Sequence, residues 1–163
     1  MHFTGLLYRA HNPIWLRTPL SGAGAARFGG RFNRIGRAAL YTSLAPETAL
    51  RETNQVGTLQ PTTLVAYRAD IGPLLDGRDP AALLPFGITP PELADPGWRE
   101  RMLANRVVPT QELAEAAIAR GYLGLVVPSY ARGAPADALN LVLWDWERRI
   151  VLVDDDDRLG LRG

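Results

Sequence analysis

The sequence predicts an α+β fold in a single domain. Apolar or alternating segments of strand length stand at 6–10, 38–43, 63–69, 123–127, 139–146 and 150–153, near both ends of the chain. Helix signals fall between them, at 46–55, 98–105 and 110–121. With 163 residues, 47% apolar and 21% charged, the chain has the size and composition of one globular domain with a sizeable core. The domain is expected over 1–153, followed by an acidic polar tail over 154–163 that begins with four aspartates.

Leu6 to Ala10 reads as the first strand and carries Tyr8 and Arg9. Residues 11–30, rich in Gly, Ala and Pro, read as a loop. Gly22-Ala23-Gly24 starts like a dinucleotide fingerprint, but Arg27 occupies the third glycine position. Neither a strand before it nor a helix after it is expected, so that reading is set aside. Ala38 to Ser43 alternates as a strand does. Pro46 suits the first turn of a helix, where its missing N–H costs nothing, and Glu47 complements the helix dipole. That helix should run to about Gln55 and stop before Gly57. Thr63 to Ala69 is the next strand, followed by a Pro/Gly-rich loop through Asp79.

The five prolines of 80–97 predict irregular cover, a candidate mobile flap. Trp98 to Asn105 is a short amphipathic helix, and Thr110 is placed to cap another that ends at Gly121. Leu123 to Val127 is uninterrupted apolar sequence, as in a strand buried on both faces. Leu139–Trp146 and Ile150–Val153 complete the set, with a hairpin expected through Glu147-Arg148.

Composition narrows the function classes. Eighteen basic against seventeen acidic residues give a net charge of +1, far from the basic field of a nucleic-acid binder. Every basic residue is arginine, so any phosphate contact must use guanidinium groups, backbone amides or hydroxyls. No apolar run approaches the roughly 18 residues of a membrane span, and the N-terminus lacks the pattern of a signal peptide. The absence of cysteine removes disulfides and thiolate metal sites and fits a reducing cytoplasm. With His2 and His11 the only histidines, no histidine-built metal site is expected. The four aspartates 154–157 lack the alternation of a calcium loop and read as a solvated tail.

The densest group of chemically capable residues lies between Gly29 and Glu52. Paired glycines, an arginine at 31, a strand ending near Tyr41 and a glutamate on the following helix succeed one another there. One turn, one strand and one helix can aim them at a single cleft. Further along, Ser129 follows Pro128 at the end of an apolar strand, and Asn140 is an amide inside another.

GGRFN, ALYTS, PETALRE, VPS and ALNLVLW, in that order, resemble the RES-domain family, the toxin halves of bacterial toxin–antitoxin pairs. The resemblance spans nearly the whole chain, and the order and spacing of its motifs are more specific than any one of them. The family's arginine, glutamate and serine fall on Arg31, Glu52 and Ser129, with Tyr41 as a further site residue. Phe32 stands where tryptophan is common, a conservative aromatic change. The resemblance implies an ADP-ribosyltransferase-like fold whose strands form a cleft, with NAD⁺ as substrate and no metal. It also implies an Xre-type antitoxin as partner and growth arrest as the outcome.

That chemistry suits this composition. Nicotinamide leaves NAD⁺ from a cationic pyridinium, so no acid has to protonate it. What the transition state needs is a carboxylate beside an oxocarbenium-like ribose, the role expected of Glu52. Arg31 can fork onto the diphosphate, with Arg9 as a second ligand from a neighbouring strand. Tyr41 can stack on the nicotinamide ring. Ser129 can bind ribose or fix Glu52, and Asn140 can orient the site. Arg34 and Arg37 are expected in surface pairs or as a funnel for anions.

Each of these residues also has a plainer reading: a solvated helix glutamate, a surface ion pair, a core tyrosine, a turn serine, an amide bound to backbone. The acceptor is expected to be a protein, because a loose 80–97 segment would leave one wall open; water or phosphate is the alternative. A non-catalytic interaction module anchored by Trp98, Trp144 and Trp146 is a different class. It predicts that Glu52→Ala keeps toxicity.

Overall fold

The computed structural model describes residues 1–54 and 60–162. Within these residues seven strands form one sheet: β1 (Phe3–His11), β2 (Leu40–Ser43), β3 (Thr63–Ile71), β4 (Leu74–Asp76), β5 (Gly124–Pro128), β6 (Leu139–Leu143) and β7 (Ile150–Leu152). Their order across the sheet is β4-β5-β6-β2-β1-β3-β7. All neighbours run antiparallel except β4 and β5. Among the described residues six α-helices accompany them: α1 (Ala23–Phe28), α2 (Pro46–Thr53), α3 (Pro80–Leu83), α4 (Pro90–Leu93), α5 (Trp98–Leu103) and α6 (Pro109–Ala119). Helices α3 to α6 lie in the crossover that the parallel β4–β5 pair requires.

Period-two alternation sorts the strand side chains between two cores. Leu125, Val127 and Val142 pack with Leu83, Leu93, Leu113 and Ala117 from the helical crossover. Leu7, Leu40, Tyr67, Leu141 and Leu143 meet on the other face, inside the curl of the sheet. As its unbroken apolar run requires, β5 is buried from Gly124 to Val127 on both faces. This is the α+β single domain that the sequence predicts.

Several elements depart from expectation, each for a local reason. Residues 11–30 contain a 3-10 turn at Pro13–Trp15 and the helix α1, whose alanines outweigh its one internal glycine. A helix therefore does follow Gly22, but the missing third glycine still disqualifies a dinucleotide fingerprint. The loop before Asp79 contains β4, only three residues long and held by its parallel neighbour. Residues 80–97 are not loose cover: they form α3, a 3-10 turn at Leu84–Phe86 and α4, and bury Leu83, Ile88 and Leu93. Thr110 lies inside α6; Val108 is the N-cap, with Pro109 opening the helix. The expected end of α2 at Gln55 and Gly57 lies outside the described residues.

The Glu147-Arg148 hairpin does not form, because β6 pairs with β2 and β5 while β7 pairs with β3. Residues 144–149 instead carry the chain past three intervening strands. Sheet twist of about 20–25° per step turns β7 roughly perpendicular to β6, so a short link can run across the end of the curl.

The cleft arises where the sheet is weakest. β1 pairs with β3 along nine residues, but with β2 at the single register Tyr8↔Ser43. The two strands part beyond that point, and α2 lies against β1 beside the gap.

Candidate active site

Construction of the site starts at the Gly29–Asn33 turn. Gly29 has φ +70, a conformation that L side chains rarely adopt. Gly30 is needed for a different reason: a Cβ there would lie 2.5 Å from the Tyr41 hydroxyl and 2.6 Å from Asn33 Oδ1. Three successive carbonyls of the turn are then held from outside it. Gln111 Nε2 donates to Gly30 O (2.8 Å), Thr110 Oγ1 to Arg31 O (2.5 Å) and Trp144 Nε1 to Phe32 O (2.9 Å). Asn33 is fully buried, and its Nδ2 donates to the carbonyls of Ala25, Arg34 and Arg37. The backbone that presents Arg31 is thus fixed by side chains of α6 and of the residue after β6.

Arg31 Nη1 donates to the carbonyls of Leu93 (3.0 Å) and Asp95 (2.7 Å), at the end of α4. Its guanidinium lies 4.8 Å from the centre of the Tyr130 ring and 5.9 Å from that of Trp98. Burial lowers the Arg31 pKa, opposed by Tyr130, Glu52, Asp95 and Tyr41. An arginine so placed keeps its charge at neutral pH.

Tyr41 on β2 donates from its hydroxyl to Asn33 Oδ1 (2.7 Å) and accepts from Phe32 N–H (3.0 Å). Burial raises its pKa, so the phenol stays protonated at neutral pH. Its hydroxyl is committed to the turn, while the residue lines the cleft.

Glu52 comes from the last turn of α2, a helix started by Pro46. Its Oε1 accepts from Ser129 Oγ and from Asn140 Nδ2, each at 2.5 Å. Ser43 Oγ donates to Asn140 Oδ1 (2.7 Å), which fixes the amide so that its NH₂ faces the carboxylate. Charge-assisted bonds of this kind are short and strong, and they hold Glu52 in one orientation. Arg9 reaches the cleft from β1 and donates through Nη1 to the carbonyls of Pro19 and Ser21, both at 3.2 Å.

Two adjoining hollows of about 280 and 540 Å³ meet at Tyr41, Glu52 and Asn140, which line both. The smaller also contains Tyr8, Arg9 and Ser43; the larger contains Arg31, Trp98, Arg99 and Tyr130. Together they have the dimensions of a small-molecule site. Glu52, Arg31, Tyr41, Arg9 and Asn140 therefore line one cleft, and Ser129 joins them through Glu52. Arg34 and Arg37 point elsewhere, to Glu112 (2.8 Å) and Glu115 (2.8 Å) on α6. Tyr130, Thr110 and Gln111 had no site signal in the sequence, Trp98 was marked only as an anchor of the non-catalytic alternative, and Asn33 only as the end of the GGRFN motif. Among the described residues no group of three or more His, Asp or Glu is placed to hold a metal.

The fold and this constellation define a class. The RES domain model matches residues 6–160, and the chain belongs to the RES-domain family. No curated protein matches it. Among solved structures it is similar to one chain of the crystal structure of the M. tuberculosis MbcT–MbcA toxin–antitoxin complex, with a TM-score of 0.68 and 22% identity. That superposition covers 94% of this chain and 84% of the other, and the likeness is one of fold.

Proposed function

We propose that this RES-domain protein is the toxin of a toxin–antitoxin pair, and that it breaks the nicotinamide–ribose bond of NAD⁺. One observation carries the reading: Glu52, oriented by Ser129 and Asn140, lines the same hollow as Arg31. The C–N bond breaks with its electron pair leaving on nicotinamide, which departs neutral. Positive charge develops on the ribosyl carbon and ring oxygen, and the fixed Glu52 carboxylate stabilises it without having to reorient. A Glu52 oxygen also accepts from ribose hydroxyls, as carboxylates do at glycosidic centres. Arg31 meets the diphosphate charge, and Tyr41 offers its ring face to the pyridinium.

The shape of the wall bears on the choice of acceptor. Residues 80–97 pack as helices with buried leucines, which removes the reason to expect a side open to a protein. We therefore assign the acceptor as water or phosphate. The acceptor oxygen forms the new bond to the ribosyl carbon, and its proton is released. Transfer to a protein remains the rival outcome of the test. The antitoxin is expected to be an Xre-type protein, as in the family the motifs resemble, and the toxin–antitoxin complex with this fold supports a protein partner.

Labelled NAD⁺ incubated with purified protein and with cell lysate tests the reading. Free ADP-ribose or its 1″-phosphate supports it, a labelled protein band supports transfer, and intact NAD⁺ in both arms overturns cleavage. Glu52→Gln should reduce cleavage by about 10²–10³-fold, the scale of one lost transition-state electrostatic contact. The fold should survive that change, and growth arrest should disappear with the activity.

A further inference from the structure

Arg99 stands out among the arginines of the cleft. It lines the larger hollow together with Arg31, and its guanidinium lies 5.0 Å from the centre of the Trp98 ring. Among the described residues no carboxylate pairs with it. The acids nearest in sequence are already engaged: Glu100 pairs with Arg106 (3.6 Å), and of Asp95 one oxygen bonds Arg101 Nη1 (2.8 Å) while the other accepts from Gly97 N–H (2.8 Å). Arg34, Arg37, Arg68, Arg78 and Arg101, by contrast, each have an acidic partner. The Arg31 guanidinium is partly satisfied by carbonyls, both bonds leaving from Nη1. The hollow thus has two cationic side chains against the single carboxylate of Glu52, an excess of positive charge in a protein whose net charge is +1.

We propose that Arg99 is a second anion-binding residue of this cleft, gripping the diphosphate of a dinucleotide substrate together with Arg31. The proposal rests on the reading of NAD⁺ as substrate and adds to it a residue and a division of labour. Arg31, half-buried and tied to the α4 end, sets the position of the phosphates. Arg99, exposed at the rim on the first turn of α5, draws the anion in and closes on it. Trp98 holds the Arg99 guanidinium by its face, leaving the N–H edge for phosphate oxygens.

Steady-state cleavage by wild type and Arg99→Ala tests it, with NAD⁺ and with nicotinamide riboside, which has the same scissile bond but no phosphate. For NAD⁺ the variant should raise KM by about tenfold, the effect of a charge-assisted contact at a solvated rim, with little change in kcat. The rise of KM with ionic strength should flatten, and Arg99→Lys should recover part of the loss. For nicotinamide riboside the variant should match wild type. Arg158→Ala, which removes the same charge from the tail, should leave KM for NAD⁺ unchanged. Equal losses on both substrates, or no loss on NAD⁺, overturn the proposal. If wild type cleaves neither substrate, the NAD⁺ reading fails by itself, and calorimetric titration with ADP then decides about Arg99. Weaker ADP binding by Arg99→Ala supports the anion site; equal or absent binding sinks it.

Discussion

Gly30 and Gly36 sit in the same turn region, yet they answer to different physics. At Gly36, with φ +93, nothing lies within 4 Å of an added Cβ, so only the backbone conformation resists substitution. At Gly30 the added atom would strike the Tyr41 hydroxyl and Asn33 Oδ1, two buried groups already bonded to each other. Gly36→Ala should cost about 1–2 kcal/mol of backbone strain and leave NAD⁺ cleavage intact. Gly30→Ala should cost about 1–3 kcal/mol through overpacking and also displace Tyr41, lowering cleavage. Denaturant titration gives the two stabilities, and the activity ratio separates the mechanisms. Equal activities in the two variants would show that the Tyr41–Asn33 contact does not shape the site. Asn33 explains why this part of the site was only half legible. A buried amide with four side-chain bonds looks in sequence like any loop asparagine, and only its place in GGRFN marked it.

Elements divide in the same way. The Gly29–Glu52 constellation was readable because its turn, strand and helix are consecutive, and Pro46 announces where α2 begins. The same rule applied elsewhere: Pro80, Pro90 and Pro109 each open a helix. Counting the prolines of 80–97 as breakers missed that several stood at first helical positions. β4 was illegible because three residues carry no period, and its strand character comes from pairing with β5. The hairpin error came from sequence proximity, which twist overrode. At the end of β1, His11 makes a separate prediction. It is buried, its Nδ1 meets Asn12 O (3.0 Å), and its Nε2 has no hydrogen-bond partner. Burial lowers its pKa, and the Arg9 charge lowers it further against the raising effect of the Asn12 carbonyl. The unfolded chain therefore binds a proton near pH 6.5 that the folded chain refuses until lower pH. Stability contributed by neutral His11 is present above about pH 6.5 and falls below it, by at most about 1.4 kcal/mol per pH unit. His11→Gln should flatten that part of the stability profile between pH 7 and 5. An unchanged slope would show that the imidazole is not the group responsible.

For the whole molecule, the single-register contact between β1 and β2 places the cleft in the middle of one continuous sheet rather than between domains. Chemistry and stability should therefore be separable by distance from that gap. The acidic tail offers the clearest case. Asp155 pairs with Arg68 on β3 (3.0 Å), Asp154 accepts from the amides of Arg158 and Leu159, and Val153 N–H donates to Ala66 O. Leu161 and Arg162 help line a hollow against Leu20 and Val151 that shares no residue with the two hollows of the cleft. Arg68 lowers the pKa of Asp155 through a hydrogen bond, and this exposed pair, screened by solvent, adds little stability. Deleting residues 154–163 should lower the thermal midpoint by removing Leu161 and Arg162 from the apolar hollow beside β7. The midpoint shift should be about 2–4 °C for each kcal/mol lost in a domain of this size. NAD⁺ cleavage by the truncated chain, measured well below its midpoint, should stay at the wild-type level. A truncated chain that keeps its midpoint but loses cleavage would tie the tail to the chemistry, and the separation by distance would be wrong.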